Sequence, residues 1–265
     1  MKVSLIITTY NRPDALKLVI KSALEQTKVP DEIVVADDGS GDETKRVIDE
    51  AAAKSSIPIL HAWQEDRGFR AAMSRNRAIA LSSGDYIVMI DGDMLLHPSF
   101  ILDHSKEAHK GCFVQGSRVL LSKEATEHAL REQNFELNIF SKGLKNRKNA
   151  IHSTILKTLF SKKSDSLKGV RTCNFALFRS DILQINGFDN RFVGWGREDS
   201  EFAARLLNSG IVRKDLKFSA IAYHLYHPES NRSSLPENDA RLAETIERKI
   251  VRCEDGIDRF LKEQR

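Results

Sequence analysis

The sequence predicts a single α/β domain over residues 1–265, with a Rossmann-like, mostly parallel central sheet flanked by helices. Three observations lead to that class. Short β-rich runs alternate, as far as Asp91, with segments whose apolar residues recur at helical spacing. The strongest runs are apolar throughout rather than alternating, the pattern of strands covered on both faces. Polar turns follow them, and ligands of such sheets collect at the carboxyl ends of the strands.

The elements follow in order. "VSLIITT" (Val3–Thr9) is the first strand, and Pro13 opens a helix carrying Leu16, Val19, Ile20, Ala23 and Leu24. "EIVVA" (Glu32–Ala36) is the second strand; after the turn Asp37–Gly41, Asp42 suits the N-cap of a helix running to about Lys54. "ILHA" (Ile59–Ala62) gives a third strand, Ala71–Ser83 a helix and "DYIVMID" (Asp85–Asp91) a fourth strand. Further on, "CNFALF" (Cys173–Phe178) and Phe218–His227 read as strands, and Asp239 to about Lys262 as a closing helix.

Composition narrows the function classes. Lys and Arg number 41 against 37 Asp and Glu, a net charge of +4, too small by itself to indicate nucleic acid. Most of the excess lies in 141–171, where no aromatic residues alternate with the charges as a base-stacking platform needs, so nucleic acid is not an expected partner. No apolar run reaches the roughly 18 residues of a spanning helix, and Val3–Ile7 is too short for a signal segment. Cys112, Cys173 and Cys253 are odd in number and in no metal-ligand spacing, as for free thiols in a reducing compartment. A cytoplasmic protein is therefore expected. "IHSTILKTLF" (Ile151–Phe160) has a helical apolar stripe with basic flanks, which suits peripheral contact with an anionic membrane; a solvated loop over the active site is the other reading.

Two segments carry chemistry. Asp91, Gly92 and Asp93 follow a buried strand, and two carboxylates spaced around a glycine can reach one hard divalent cation, which in turn can hold a diphosphate. A polar turn capping the strand would use the same residues. "GWGREDSEF" (194–202) sets Trp195 between glycines and crowds acids at a helix start, where the macrodipole favours negative charge.

"VSLIITTYNRPDAL", "EIVVADDGSGDET" and "SRNRAIALSSGDYIVMIDGDM" together resemble the start of a family 2 glycosyltransferase with the GT-A fold. "GWGREDSEF" resembles the "WGGED" segment of β-1,4-galactosyltransferases and chondroitin-type N-acetylgalactosaminyltransferases. The resemblance implies a nucleotide-sugar half (1–120), a basic variable insertion (121–171), an acceptor and catalytic half (172–235) and a C-terminal helix (236–265). It implies that Thr8, Tyr10, Arg12, Asp38, Arg75, Asp91 and Gly92 border a UDP-sugar, with Asp38 at the uracil edge and Asp91 near the ribose or a metal-bound water. Asp93 would hold a metal with a histidine of "HLYH": His224, with His227 as the alternative or partner. Carboxylate plus imidazole suits Mn²⁺, with Mg²⁺ the competitor. Trp195 and Gly196 would meet an acceptor sugar, Glu198 would bind it, and Asp199 would be the general base. Retaining relatives carry Asn at that position, so Asp199 points to inversion.

The implied activity is transfer of a hexose or N-acetylhexosamine to a glycan or lipid-linked glycan, in assembly of bacterial surface polysaccharide or lipooligosaccharide, at the cytoplasmic face of the membrane. The rivals are a nucleotidyltransferase, for which Gly-Trp-Gly has no use, and a non-catalytic sugar-nucleotide-binding protein. One departure stands out: Arg197 replaces the second glycine of "WGGED", either to meet an anionic group or to point to solvent.

Overall fold

A computed structural model describes residues 1–228 and 233–263. The first half follows the expected alternation: β1 (Val3–Thr9), α1 (Pro13–Leu24), β2 (Glu32–Asp37), α2 (Asp42–Lys54), β3 (Ile59–Trp63), α3 (Ala71–Leu81) and β4 (Tyr86–Asp91). These strands pair in parallel in the order β3-β2-β1-β4. Strand alternation sends Leu5, Ile7, Val35 and Val88 into the core layer under α1 and α2, and Ile6, Val34, Ala36 and Met89 into the layer under α3. Burial on both faces explains why the runs are apolar throughout. At α2, Gly41 rather than Asp42 holds the cap position, and Asp42 is the first helical residue.

The rest of the chain comprises β5 (Met94–Leu96), α4 (Phe100–Lys106), β6 (Cys112–Gln115), β7 (Ser117–Leu121), α5 (Lys123–Glu132), β8 (Leu144–Lys145), α6 (Thr154–Phe160) and β9 (Lys162–Ser164). It continues with β10 (Asn174–Phe178), α7 (Arg179–Gln184), α8 (Glu198–Asn208), β11 (Val212–Asp215), β12 (Ile221–His224), α9 (Leu235–Glu247) and α10 (Asp258–Glu263). Among the described residues the main sheet runs β3-β2-β1-β4-β10-β6-β11-β9, and a second sheet runs β5-β12-β7-β8. β10 is antiparallel to both neighbours. Asn174 pins the fork between the sheets: its Nδ2 donates to the Ser117 and Ala220 carbonyls at 2.8 and 2.7 Å, and its Oδ1 lies 2.9 Å from His104 Nε2.

Two expected elements are shorter than the sequence suggests. The strand expected over Phe218–His227 is confined to Ile221–His224, because Phe218 and Ala220 take left-handed backbone (φ 58° and 47°) that no ladder accommodates. The closing helix is two helices. Lys249 turns left-handed at φ 51° after α9, and the chain then lays Cys253 and Ile257 into the core before α10 begins. The end of the expected helix, 264–265, lies outside the described residues, as does 229–232 of the expected catalytic half. The three cysteines are buried and unpaired, and no helix among the described residues is long and apolar enough to cross a membrane.

Candidate active site

The site lies where β1, β2 and β4 end and the two sheets part. Gly92 fits there because its amide donates to the Thr8 carbonyl at 2.7 Å, and a Cβ would come within 3.0 Å of that oxygen. Asp93 occupies the step between β4 and β5. β12 pairs with β5 so that His224 lies opposite Met94, which carries the imidazole beside Asp93. The Leu225 amide bonds the Asp93 carbonyl at 2.9 Å, and the chain then leaves the ladder, so His227 also turns inward despite its spacing of three. His224 Nε2 lies 3.6 Å from Asp93 Oδ1, and His227 Nε2 lies 3.5 Å from Asp93 Oδ2.

These residues fit a divalent cation. Their ligand atoms all lie within 4.8 Å of one another. Asp93 Oδ1 is buried and has no hydrogen-bond partner among the described residues, a state that a bound cation would relieve. His227 Nδ1 is 2.7 Å from the Pro228 carbonyl, which fixes the ring with Nε2 as the lone-pair nitrogen. Burial, aided by Arg118 and His227, holds His224 down to about 4, so the ring is neutral as a ligand must be. Arg12 also reaches the site, with Nη1 3.2 Å from Asp93 Oδ2.

Arg75, on α3, joins Asp91, two residues before Asp93, to a second cluster. Its Nε donates to Thr8 Oγ1 at 3.2 Å, and its Nη atoms lie 3.3 Å from Asp91, 3.5 Å from Glu198 and 3.5 Å from Asp199. The guanidinium is thus a buried hub among three carboxylates rather than a free fork for phosphate. Glu198 and Asp199 begin α8, next to each other but differently held. Asp199 accepts from the Thr172 amide at 3.0 Å and from the Thr172 hydroxyl at 2.5 Å. Burial and the adjacent Asp199 charge, opposed by Arg75, push Glu198 up to about 7.

The glycines around Trp195 serve packing first. Gly194 and Gly196 have φ of 76° and 105°, and a Cβ on Gly194 would fall 2.1 Å from Ser234 Oγ. Asn238 of α9 donates to the Val193 and Gly196 carbonyls at 3.2 and 3.0 Å, which anchors the loop and leaves Trp195 37% exposed. Arg197 does not point freely to solvent: its Nε bonds Asp239 of α9 at 2.5 Å.

On the nucleotide side, Asp37 rather than Asp38 is the turn-forming acid. Its Oδ1 accepts from the Ser40 amide at 2.8 Å, and its Oδ2 is 2.8 Å from His61 Nε2. Asp38 accepts from the Arg70 amide at 2.7 Å and Gln64 Nε2 at 2.6 Å, with burial raising its pKa. Each oxygen keeps a lone pair for a further donor. Tyr10 is half-exposed, and its hydroxyl bonds Asp66 at 2.9 Å. The sequence pattern did not disclose Thr172, Gln64, Asp66 or Arg118. Each is an ordinary polar residue whose role depends on a contact distant in sequence, and no spacing marks it.

Comparison with known proteins bears on the family and the fold. The model of "Glycosyl transferase family 2" matches residues 4–184, more than half of the chain, and that of "N-terminal domain of galactosyltransferase" matches 156–228. A validoxylamine A glucosyltransferase of Streptomyces hygroscopicus subsp. limoneus is 28% identical over 78% of this chain and 48% of its own length. A chondroitin synthase of Escherichia coli is 25% identical over 85% of this chain and 35% of its own. The chain thus spans about half or less of these relatives. Residues 1–349 of TarS from S. aureus superpose with a TM-score of 0.61 at 19% identity, covering 99% of this chain and 70% of that one; the same fragment has been solved in complex with UDP. That likeness is one of fold, and the fold is GT-A. On its family match, the chain belongs to glycosyl transferase family 2.

Proposed function

We propose that the protein transfers a hexose or N-acetylhexosamine from a UDP-sugar to a hydroxyl of a glycan or lipid-linked glycan, with inversion. The observation that carries this reading is that Arg75 gathers Glu198 and Asp199 to Asp91, two residues before the Asp93 of the Asp93–His224–His227 cluster. Asp93, His224 and His227 would hold Mn²⁺, or Mg²⁺, through one carboxylate and two imidazoles. Bound there, the cation supplies charge neutralisation to a departing diphosphate. The Asp91-Gly92-Asp93 stretch is then the family's DXD motif.

The remaining groups are assigned by what they can reach. Asp38, Thr8 and Tyr10 border the nucleoside, with the free lone pairs of Asp38 available to an imide N–H. Arg12 sits beside the diphosphate position. Asp199, fixed by Thr172 and Arg75, takes the proton of the acceptor hydroxyl. Glu198, about half protonated near neutral pH, can donate to one sugar oxygen or accept from another, and Trp195 offers its exposed face to a sugar ring. A base on the acceptor side of a single displacement gives inversion.

A lipid-linked acceptor fits the surface of the insertion. Ile155 and Leu159 of α6 are 75% and 70% exposed, Phe140 is 88% exposed, and lysines flank them in sequence. This face suits peripheral binding to an anionic membrane on the cytoplasmic side, and surface-polysaccharide or lipooligosaccharide assembly is the corresponding role. Incubation with a panel of UDP-sugars tests the core of the reading. UDP release from one donor, present with Mn²⁺ and abolished by EDTA, is expected; release unaffected by EDTA would refute the metal assignment.

A further inference from the structure

A cavity of about 300 Å³ opens beside the catalytic centre, between the β6–β7 junction, the segment before β10 and the end of β11. It has the size of a site for one or two sugar units. Its wall includes Arg171 and Cys173, the two neighbours in sequence of the Thr172 that grips Asp199, so the cavity lies near the acceptor side of the site. Four cations line it: Arg118, Arg171, Arg213 and Lys217. Arg213 is already neutralised, with Nη2 2.6 Å from Asp215 and Nη1 bonded to the Ser166 and Lys168 carbonyls. Among the described residues, no carboxylate comes within ion-pairing distance of Arg118, Arg171 or Lys217. Three unmatched cations around one concavity create a positive potential that favours an anion.

We infer that this cavity is a subsite for an anionic group on the acceptor, a uronate carboxylate or a phosphate, held by Arg118, Arg171 and Lys217. The inference rests on the acceptor-side reading proposed above but concerns recognition rather than chemistry. Arg118, on β7, is half-buried in the wall and its charge reaches Asp93 and His224, so the cavity and the metal-binding cluster share one electrostatic environment. Arg171 and Lys217 are exposed at the mouth and contribute little to packing. The planar Arg forks suit either a carboxylate or a phosphate.

The test is binding, measured without any donor. Methyl β-glucuronide, glycerol phosphate and methyl β-glucoside are titrated into the wild-type protein and into a double variant, Arg171→Gln with Lys217→Gln. At least one anionic probe is expected to bind about 10-fold or more tightly than the neutral glucoside, the loss of two charge-assisted contacts removing that preference. Which anion binds separates a uronate-bearing acceptor from a phosphate-bearing one. Equal binding of glucuronide, phosphate and glucoside, no detectable binding of either anion, or unchanged anion binding in the double variant each overturns the inference. UDP affinity with Mn²⁺, measured in parallel, is expected to be the same in both proteins; its loss in the double variant would assign these cations to the donor and also overturn it. A protein that prefers the anions but releases no UDP from any donor would retain the subsite and refute the proposed transfer.

Discussion

Glu198 and Asp199 are neighbours on one helical turn, yet their surroundings divide the work between them. Thr172 and Arg75 fix Asp199, whereas Glu198 is largely buried beside it and pushed up to about 7 from an ordinary 4.5. A carboxyl raised in this way binds its proton more tightly in the folded state than in the unfolded one. Its contribution therefore favours folding below about pH 4.5 and is lost as pH rises through about 7. Thermal melts of Glu198→Gln should accordingly gain on wild type from about pH 5 to about pH 8. The gain has a ceiling of about 3 kcal/mol, since each pKa unit is worth about 1.4 kcal/mol. A variant that loses ground over that range would contradict the assignment. Asp91, Asp93, Glu198 and Asp199 were legible in the sequence because each sits at the end of an apolar run or the start of a helix. Thr172 was not, since its importance comes from a direct contact with Asp199, 27 positions away in the chain.

α8 shows how one helix serves both site and core. Its first turn presents Glu198 and Asp199, while Glu201, one residue beyond Ser200, turns inward to a bidentate pair with Arg205 at 2.7 and 2.8 Å. Both are fully buried; Arg205 also donates to the Ile185 carbonyl at 2.7 Å, and Thr245 of α9 donates to Glu201 at 3.1 Å. Removing one charge from such a pair leaves the other buried and uncompensated, so Glu201→Gln should cost about 3 kcal/mol or more in urea unfolding. A loss below about 1 kcal/mol would show that water reaches Arg205. The acids of "REDSEF" thus have distinct roles, which helical periodicity alone did not separate. Arg197 precedes them at a left-handed φ of 72°. That conformation disfavours a side chain by about 1–2 kcal/mol, and its exposed pair with Asp239 returns at most about 1. Stability therefore does not explain why arginine stands where relatives of this segment have glycine.

Across the whole molecule, the parallel half was readable, whereas in the mixed half β10 and part of β12 were legible as strands but their places in the sheets were not. β1 to β4 announce themselves because each is buried on both faces and ends in polar turns. The placing of β10 between β4 and β6, and of β12 between β5 and β7, depends on long-range pairing that no local pattern encodes. That pairing brings His224 to Asp93. The insertion left α6 with no buried residue, its apolar stripe facing outward. Sedimentation with vesicles should therefore show binding to phosphatidylglycerol but not to phosphatidylcholine, weakened about 10-fold by Ile155→Ser with Leu159→Ser. Equal binding to both lipids, or none, would remove the membrane from the account.

The central claim is that Asp199 is the base of a metal-assisted transfer from a UDP-sugar. It is tested most directly by UDP release from the preferred donor, with acceptor and Mn²⁺, in wild type and Asp199→Asn. The expected result is a fall in kcat of about 10²- to 10⁴-fold, the contribution of a general base, while Mn²⁺-dependent UDP binding stays within about 3-fold of wild type, under 1 kcal/mol. Turnover that survives the substitution at near wild-type rate would contradict the claim.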